Sequence, residues 1–182
     1  MNNKYCGQIT DFKPVFEDRS RVVFSYEFKK HTLDGNEYAT WYEVVFYKKQ
    51  GLPTLDAVKR AIIDDVNART DEKILKGFVW NGINVWLSEE NQRNFSEAQR
   101  LNLVPVKFKL SEQSDGSPVY HTFESAEELN NFYTQAATYI QQCLQDGWNE
   151  KDNLDFTPFE NYFGVTSTST ATEPKKRTTK KK

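Results

Sequence analysis

The side chains that could perform catalysis or bind a metal ion are few in this sequence. His31 is expected in a turn and His121 in a strand, and neither has a cysteine, serine or carboxylate motif around it that would activate a general base. Cys6 and Cys143 are far apart, with no CxxC pattern and no histidine at ligand spacing. We therefore expect two reduced cysteines, no metal ligands and no catalytic residues.

Neither the paired carboxylates nor the glycines form a recognisable site. Asp64-Asp65 and Glu89-Glu90 are adjacent pairs. Because neighbouring residues of a helix point in different directions, neither pair can converge on one metal ion, and we expect both on solvated helix faces. Gly77, Gly82 and Gly116 are isolated, so they do not form a Gly-rich loop that holds phosphates. The sequence predicts a non-enzymatic protein without a cofactor.

Charge is distributed unevenly along the 182 residues. The formal net charge is −2, but residues 166–182 carry six basic side chains against Glu173, which makes this tail +5 and leaves −7 on residues 1–165. The tail has too little apolar content to offset the entropy of ordering, so we expect it to be disordered. An acidic body is a poor match for the phosphates of a nucleic acid.

No membrane segment is expected. No run approaches the roughly 20 apolar residues that cross a bilayer. Residues 1–4 lack the charged start and the apolar stretch of a signal peptide. We therefore expect the protein to stay in the cytoplasm of the cell that makes it.

Residues 1–50 are predicted to form an N-terminal β region. Residues 21–29 and 38–47 alternate and are rich in β-branched and aromatic side chains, and the turn at residues 33–36 makes them an antiparallel hairpin or ribbon. Residues 5–10 and 15–17 could add an edge strand. On the first strand of the hairpin, three aromatic residues are expected on one face that another element must cover: Phe24, Tyr26 and Phe28.

Residues 51–165 are predicted to form an α/β unit. A helix should begin at Thr54, and a second short helical turn should run from Asp71 to Gly77, where glycine suits a left-handed C-cap. Asn81-Gly82 between apolar segments predicts a type I′ hairpin. Ser88 should cap a helix that ends near Leu101.

The end of this unit contains the longest predicted helix. Residues 104–110 and 119–123 form a β pair, and Ser125 with Glu128 forms a capping box that opens a long amphipathic helix ending at Gly147. The aromatic stretch at residues 154–165 should pack back on the body. We therefore predict an α+β fold with three regions: the β region (1–50), the α/β unit (51–165) and the disordered basic tail (166–182).

A block between residues 70 and 148 resembles a family of unknown function from tailed phages and prophages. Members are described as tail-fibre or tail-fibre-assembly-like, and this variant is similar to those of phages of gut Bacteroidales. The resemblance implies no catalytic residues, and it implies a phage structural protein as partner. It rests on residues 70–75, the hairpin 78–82, residues 85–92, Asn94-Phe95, residues 105–108 and 119–123, and Gly147-Trp148.

Two functional hypotheses follow. The first is a phage structural, tail-assembly or virion-associated protein that acts by protein binding, made in the host cytoplasm, with a possible place in the virion. The second is a single-stranded nucleic-acid-binding accessory protein with an OB-like N-terminal β unit and a lysine tail. The partner, the oligomeric state and packaging in the particle stay open. Four aromatic residues are the candidate partner-binding residues, with the alternative that both hairpin tryptophans fill the core: Tyr26, Trp41, Trp80 and Trp86.

Overall fold

The computed structural model describes residues 4–165, which form the predicted α+β fold. The first four strands make one antiparallel sheet in the order β1-β4-β3-β2, and the later strands make two hairpins. The helices follow the sheet and alternate with the hairpins. The strands are β1 (Lys4–Gly7), β2 (Val15–Glu17), β3 (Arg21–Leu33), β4 (Asn36–Tyr47), β5 (Phe78–Trp80), β6 (Ile83–Val85), β7 (Val106–Glu112) and β8 (Pro118–Phe123), and the helices are α1 (Leu55–Gly77), α2 (Glu89–Leu101), α3 (Ala126–Asp152) and α4 (Thr157–Tyr162).

The predicted N-terminal hairpin is confirmed as β3 and β4, with Asp34 and Gly35 at positive φ in its turn. The prediction that three aromatics of β3 share one face is wrong for Phe28. A β-bulge interrupts the register after Tyr26, so the alternation of faces is lost there. The ring of Phe28 packs on Phe12, with 4.5 Å between ring centroids, and Phe12 also contacts Trp41.

Helix α1 is continuous, whereas the sequence predicted a helix and a separate short turn. Thr54 caps it, accepting a hydrogen bond from the backbone nitrogen of Ala57. Between Leu55 and Lys76 there is no glycine or proline to interrupt the helix. The left-handed cap predicted at Gly77 is also wrong, because this residue does not have a positive φ. A Cβ atom at this position would collide with the hydroxyl of Tyr139 on α3.

The two later hairpins and α2 follow the sequence predictions. Asn81 and Gly82 both have positive φ, 49° and 78°, as a type I′ turn requires. Ser88 caps α2 by accepting from the backbone nitrogen of Asn91. The backbone nitrogen of Trp86 donates to the carbonyl of Leu110, which joins the end of β6 to β7.

Helix α3 is longer than predicted, because it continues through Gly147 to Asp152. The backbone nitrogen of Glu128 donates to the Ser125 hydroxyl, so Ser125 is the N-cap. The carboxylate of Glu128, however, accepts from the backbone nitrogen of Glu124 and not, as the predicted capping box requires, from that of Ser125. Gly147 is buried, and a Cβ atom there would lie 2.5 Å from Oγ1 of Thr70 on α1. Gly147 therefore marks a close approach of the two long helices and not a helix end.

Two hydrophobic cores are present, and α1 contributes to both. The first lies between the N-terminal sheet, α1 and α4, so the sheet of the predicted 1–50 region shares its core with the following unit. The second lies between the two hairpins, α2 and α3, with Ile74 supplied by α1. The buried residues of the first core are Val22, Phe24, Tyr26, Val44, Val58, Ile62, Val66 and Phe159.

The aromatic stretch after α3 does pack back on the sheet, since Phe159 of α4 lies edge-on to Phe24. Cys6 and Cys143 are unpaired thiols. Among residues 4–165 no helix is long and apolar enough to cross a bilayer. The predicted disordered tail lies outside the described residues.

We predict that Gly147→Ala lowers the free energy of unfolding by about 1 to 3 kcal/mol, as overpacking does. In a helix without a close neighbour the same change would raise stability by up to about 1 kcal/mol, so the sign is diagnostic. Urea unfolding of the variant measures it. Adding Thr70→Ala should recover part of the loss, and Gln145→Ala, on an exposed part of α3, should stay within about 0.5 kcal/mol of wild type. A Gly147→Ala variant at least as stable as wild type would contradict the close crossing.

Candidate functional site

The four aromatic residues singled out from the sequence lie in different environments. Tyr26 is buried under α1, and Trp41 is buried, with its indole nitrogen donating to Glu43. Trp80 is 3% exposed and packs against Phe132 of α3, so it fills the core as the alternative interpretation held. These three side chains present almost no area to a partner in this conformation.

Trp86 is the one of the four that reaches the surface, with 37% of its area exposed. It follows β6, where residues alternate between the core and the outside, and its neighbours Val85 and Leu87 are buried. The same alternation leaves Val79 exposed on β5 and Tyr120, 52% exposed, on β8. Strand periodicity therefore places the apolar outward-facing residues of two hairpins on one side.

Two lysines of β7 complete this surface. The ammonium group of Lys109 lies 5.8 Å from the centroid of the Trp86 ring, and that of Lys107 lies 4.4 Å from the Tyr120 ring. Lys109 is also the cross-strand neighbour of Tyr120. These contacts make one continuous patch, called the Trp86 face below, which consists of Trp86, Lys107, Lys109 and Tyr120.

A second group of polar side chains surrounds the partly buried Arg69. The Arg69 Nε atom lies 3.0 Å from Oδ2 of Asp65, and its terminal nitrogen lies 2.7 Å from Oε1 of Glu27 and also contacts Glu150. The guanidinium carbon lies 3.8 Å from the centroid of the Tyr42 ring. One cation therefore connects carboxylates from β3, α1 and α3.

Burial changes the acid–base properties of this Arg69 cluster. Burial, reinforced by a hydrogen bond with Glu150, raises the pKa of Glu27 to about 7, although Arg69 opposes the shift. Burial and the hydrogen bond to Asp65 raise the pKa of the Tyr26 hydroxyl well above its usual value. Burial alone would lower the pKa of Arg69, but Glu27 and Glu150 raise it above its usual value. Arg69 therefore stays charged, while Glu27 can hold a proton near neutral pH.

This arrangement can exchange a proton, but its charged groups are engaged with one another. The adjacent cleft, about 220 Å³, is lined in part by Tyr42, Arg69 and Lys73, and Lys73 is paired with Asp146 at 3.0 Å. Among the described residues, no group of three or more His, Cys, Asp or Glu side chains could hold a metal ion. We interpret the Arg69 cluster as a structural ion-pair network that connects β3, α1 and α3.

Two sequence interpretations of polar residues need correction. Asp65 was expected on a solvated face, but it is 7% exposed and accepts a hydrogen bond from the Tyr26 hydroxyl. The sequence shows no carboxylate motif around His121, but the fold brings the carboxylate of Glu128 to it, with 2.8 Å between Nε2 and Oε1. The spacing of four between Asp65 and Arg69 could have indicated a helical ion pair.

The predicted OB-like unit also differs from the structure. An OB fold is a five-stranded partly open barrel, whereas the N-terminal sheet has four strands and is covered on one face by α1 and α4. Tyr26 and Trp41 are buried, so they do not form a platform for bases. Any base stacking by this chain must use other aromatic side chains.

Comparison with known proteins gives one family match. The model of a domain of unknown function (DUF4376) matches residues 57–168. This segment begins in the first turn of α1 and contains Arg69 and the whole Trp86 face, whereas β1 to β4 precede it. No curated protein and no solved structure matches the chain.

The raised pKa of Glu27 predicts a pH dependence of stability. In the unfolded chain this carboxyl has its usual pKa near 4.5, so between about pH 4.5 and 7 the folded protein binds more protons. Stability from Glu27 is therefore present at low pH and is lost as pH rises through 7. We expect a loss of about 1 to 2 kcal/mol, since one pKa unit corresponds to about 1.4 kcal/mol and partial solvation reduces the full effect.

The measurement is urea unfolding at several pH values between 5 and 8 for wild type and Glu27→Gln. The amide mimics the protonated acid, so the variant should lack the decline seen in wild type over this interval. Glu97→Gln, whose carboxylate pairs with Arg100 on the surface, serves as a control that should keep the decline. Equal pH profiles for wild type and Glu27→Gln would show that Glu27 titrates normally.

Proposed function

We propose that this chain, which belongs to the DUF4376 family of domains of unknown function, is a phage structural or tail-assembly protein. In this role it is non-enzymatic and acts by binding another protein. In this proposal the protein is made in the host cytoplasm and meets its partner there or in the virion. The Trp86 face is the contact surface. It replaces Tyr26, Trp41 and Trp80, which are buried.

The observation that carries this proposal is the exposure of Trp86 and Tyr120 on one side of the paired hairpins. Tryptophan and tyrosine are enriched at the energetic centres of protein interfaces, because they supply large contact areas with few rotatable bonds. The inward-facing residues of the same strands are buried in the second core, so the outward ones are held in place. A rigid surface loses little conformational entropy on binding.

The phage context comes from the sequence resemblance. The block that resembles tail-fibre-assembly-like proteins, residues 70–148, lies within the family match at residues 57–168. It includes Trp86, Lys107 and Tyr120. The part of the chain that carries the resemblance is thus also the part that carries the proposed contact surface.

We predict that Trp86→Ala weakens binding to a phage structural component by about 2 kcal/mol or more, as expected for an aromatic residue at the centre of an interface. The affinity-tagged protein is expressed during infection, and co-purified virion components are quantified by mass spectrometry. Trp148→Ala is the matched control, because Trp148 is 49% exposed but lies on α3. Both variants should keep the wild-type thermal midpoint within a few degrees.

Three results would contradict the proposal. These are the absence of any virion component from the wild-type eluate, equal recovery with Trp86→Ala, and a loss confined to Trp148→Ala.

The alternative, binding of single-stranded nucleic acid, has one observation in its favour. In the Trp86 face each of two exposed aromatic rings lies beside a lysine ammonium, and stacking surfaces next to cations are what single strands bind. Against it, residues 1–165 carry a charge of −7. Such a body repels phosphates instead of releasing their counterions.

The alternative is tested with a fluorescent oligo-dT and a variant truncated after Val165. We predict no measurable binding by the truncated protein at about 150 mM salt, where surface charges are screened over about 8 Å. Any binding by the full chain should be weak, salt-sensitive and dependent on residues 166–182. Micromolar binding by the truncated protein that is lost in Trp86→Ala and Tyr120→Ala would favour the alternative.

A further inference from the structure

We propose that the Trp86 face recognises an extended, acidic segment of its protein partner, with carboxylates at alternate positions that pair with Lys107 and Lys109. This inference rests on the proposed protein-binding function and specifies the chemistry of the partner. The aromatic rings of Trp86 and Tyr120 contact the backbone and the apolar side chains of the bound segment. The surface is formed by side chains of β7 and β8 and by Trp86 at the end of β6.

Charge complementarity is the first support for an acidic partner. Residues 1–165 are acidic overall, with a charge of −7, yet the Trp86 face brings two lysines together, and within residues 4–165 Glu112 is the one carboxylate at ion-pair distance from either of them. It is Lys109 that forms this ion pair with Glu112, three residues along the chain. Within residues 4–165 no carboxylate lies at ion-pair distance from Lys107, which is exposed. An acidic segment is therefore repelled by most of the molecule and attracted to this patch.

The spacing of the lysines is the second support, and it favours an extended segment. Lys107 and Lys109 are two residues apart on one strand, so their side chains point to the same face about 7 Å apart. Alternate side chains of an extended peptide have the same spacing. Adjacent carboxylates on a helix, such as Asp64 and Asp65 of α1, do not have it.

The aromatic rings hold the cations in position before binding. The ammonium of Lys107 lies over the Tyr120 ring, and that of Lys109 is near the Trp86 ring. Each cation–π contact favours the position of the ammonium beside the ring and so restricts an otherwise flexible lysine. Replacing Trp86 or Tyr120 should therefore weaken both the apolar contact and the placement of the cation beside it.

Nucleic acid is a less suitable occupant of the same face. Two lysines, one of which is ion-paired with Glu112, can neutralise few phosphates. The net negative charge of residues 1–165 repels the remaining phosphates. The same two cations are sufficient for a segment with two carboxylates.

The test uses the full chain and three fluorescent probes: an octapeptide of alternating Glu and Val, one of alternating Lys and Val, and an oligo-dT of eight nucleotides. Fluorescence anisotropy at low and physiological salt gives the dissociation constants. The full chain includes the basic tail in every variant, so its contribution is the same throughout. The variants are Lys107→Glu, Trp86→Ala and, as the matched control, Lys30→Glu at an exposed position of β3.

We expect the Glu peptide to bind in preference to the Lys peptide, with affinity falling as salt rises. Lys107→Glu and Trp86→Ala should each weaken binding tenfold or more, and Lys30→Glu should change it less than twofold. Circular dichroism should show wild-type folding for all three variants. Binding of the Glu peptide in this way supports the inference even if no virion component co-purifies. The peptide assay and the co-purification therefore test the inference and the proposed function separately.

Other outcomes would overturn the inference. Equal losses in Lys107→Glu and Lys30→Glu would assign the affinity to general charge, and equal binding of the two peptides would show that carboxylates are not recognised. Tighter binding of oligo-dT, sensitive to Trp86→Ala, would assign the face to nucleic acid. Concentration-dependent self-association lost in Lys107→Glu would assign it to a second copy of this chain.

Discussion

The ion cluster around Arg69 is the interaction on which the arrangement of the two cores depends. Helix α1 contributes to both cores, and Arg69 lies on it between Val66 of the first core and Ile74 of the second. Its guanidinium contacts carboxylates from β3, α1 and α3. Removing the cation would leave buried carboxylates unpaired, which is strongly destabilising, so this cluster links the three elements to one another.

The close crossing of α1 and α3 extends this constraint to the surface. Gly77 and Gly147 each lack the Cβ atom that would collide with the facing helix. With α3 held against α1, its buried side chains, such as Phe132, support the inner faces of the hairpins. The outer face of those hairpins, which carries Trp86, is then fixed in orientation. Preorganisation of this kind favours binding, because few side chains have to be ordered when the partner arrives.

Local signals in the sequence predicted the elements, whereas the contacts between elements could not be predicted. The Asn81-Gly82 turn and the Ser88 and Ser125 caps depend on a few neighbouring residues, and all were predicted correctly. Gly147 was misinterpreted as a helix end, and Gly77, where α1 does end, was misinterpreted as a left-handed cap, because the facing residue on the other long helix is remote in sequence. For the same reason Asp65 was expected in solvent, since the spacing to Arg69 was visible but Tyr26 was not. Strand alternation shows which residues share a face of a hairpin, but it could not show which face another element would cover. The buried and the exposed tryptophans therefore could not be told apart from the sequence.

The central claim is that partner binding uses the Trp86 face and leaves the rest of the protein unchanged. Fluorine NMR of protein labelled with 5-fluorotryptophan tests it most directly, because the chain has four tryptophans and each can be assigned by single substitution. On addition of the co-purifying virion component, we predict that the resonance of Trp86 shifts while those of Trp41, Trp80 and Trp148 stay in place. A shift of Trp148 with Trp86 unchanged would contradict the claim.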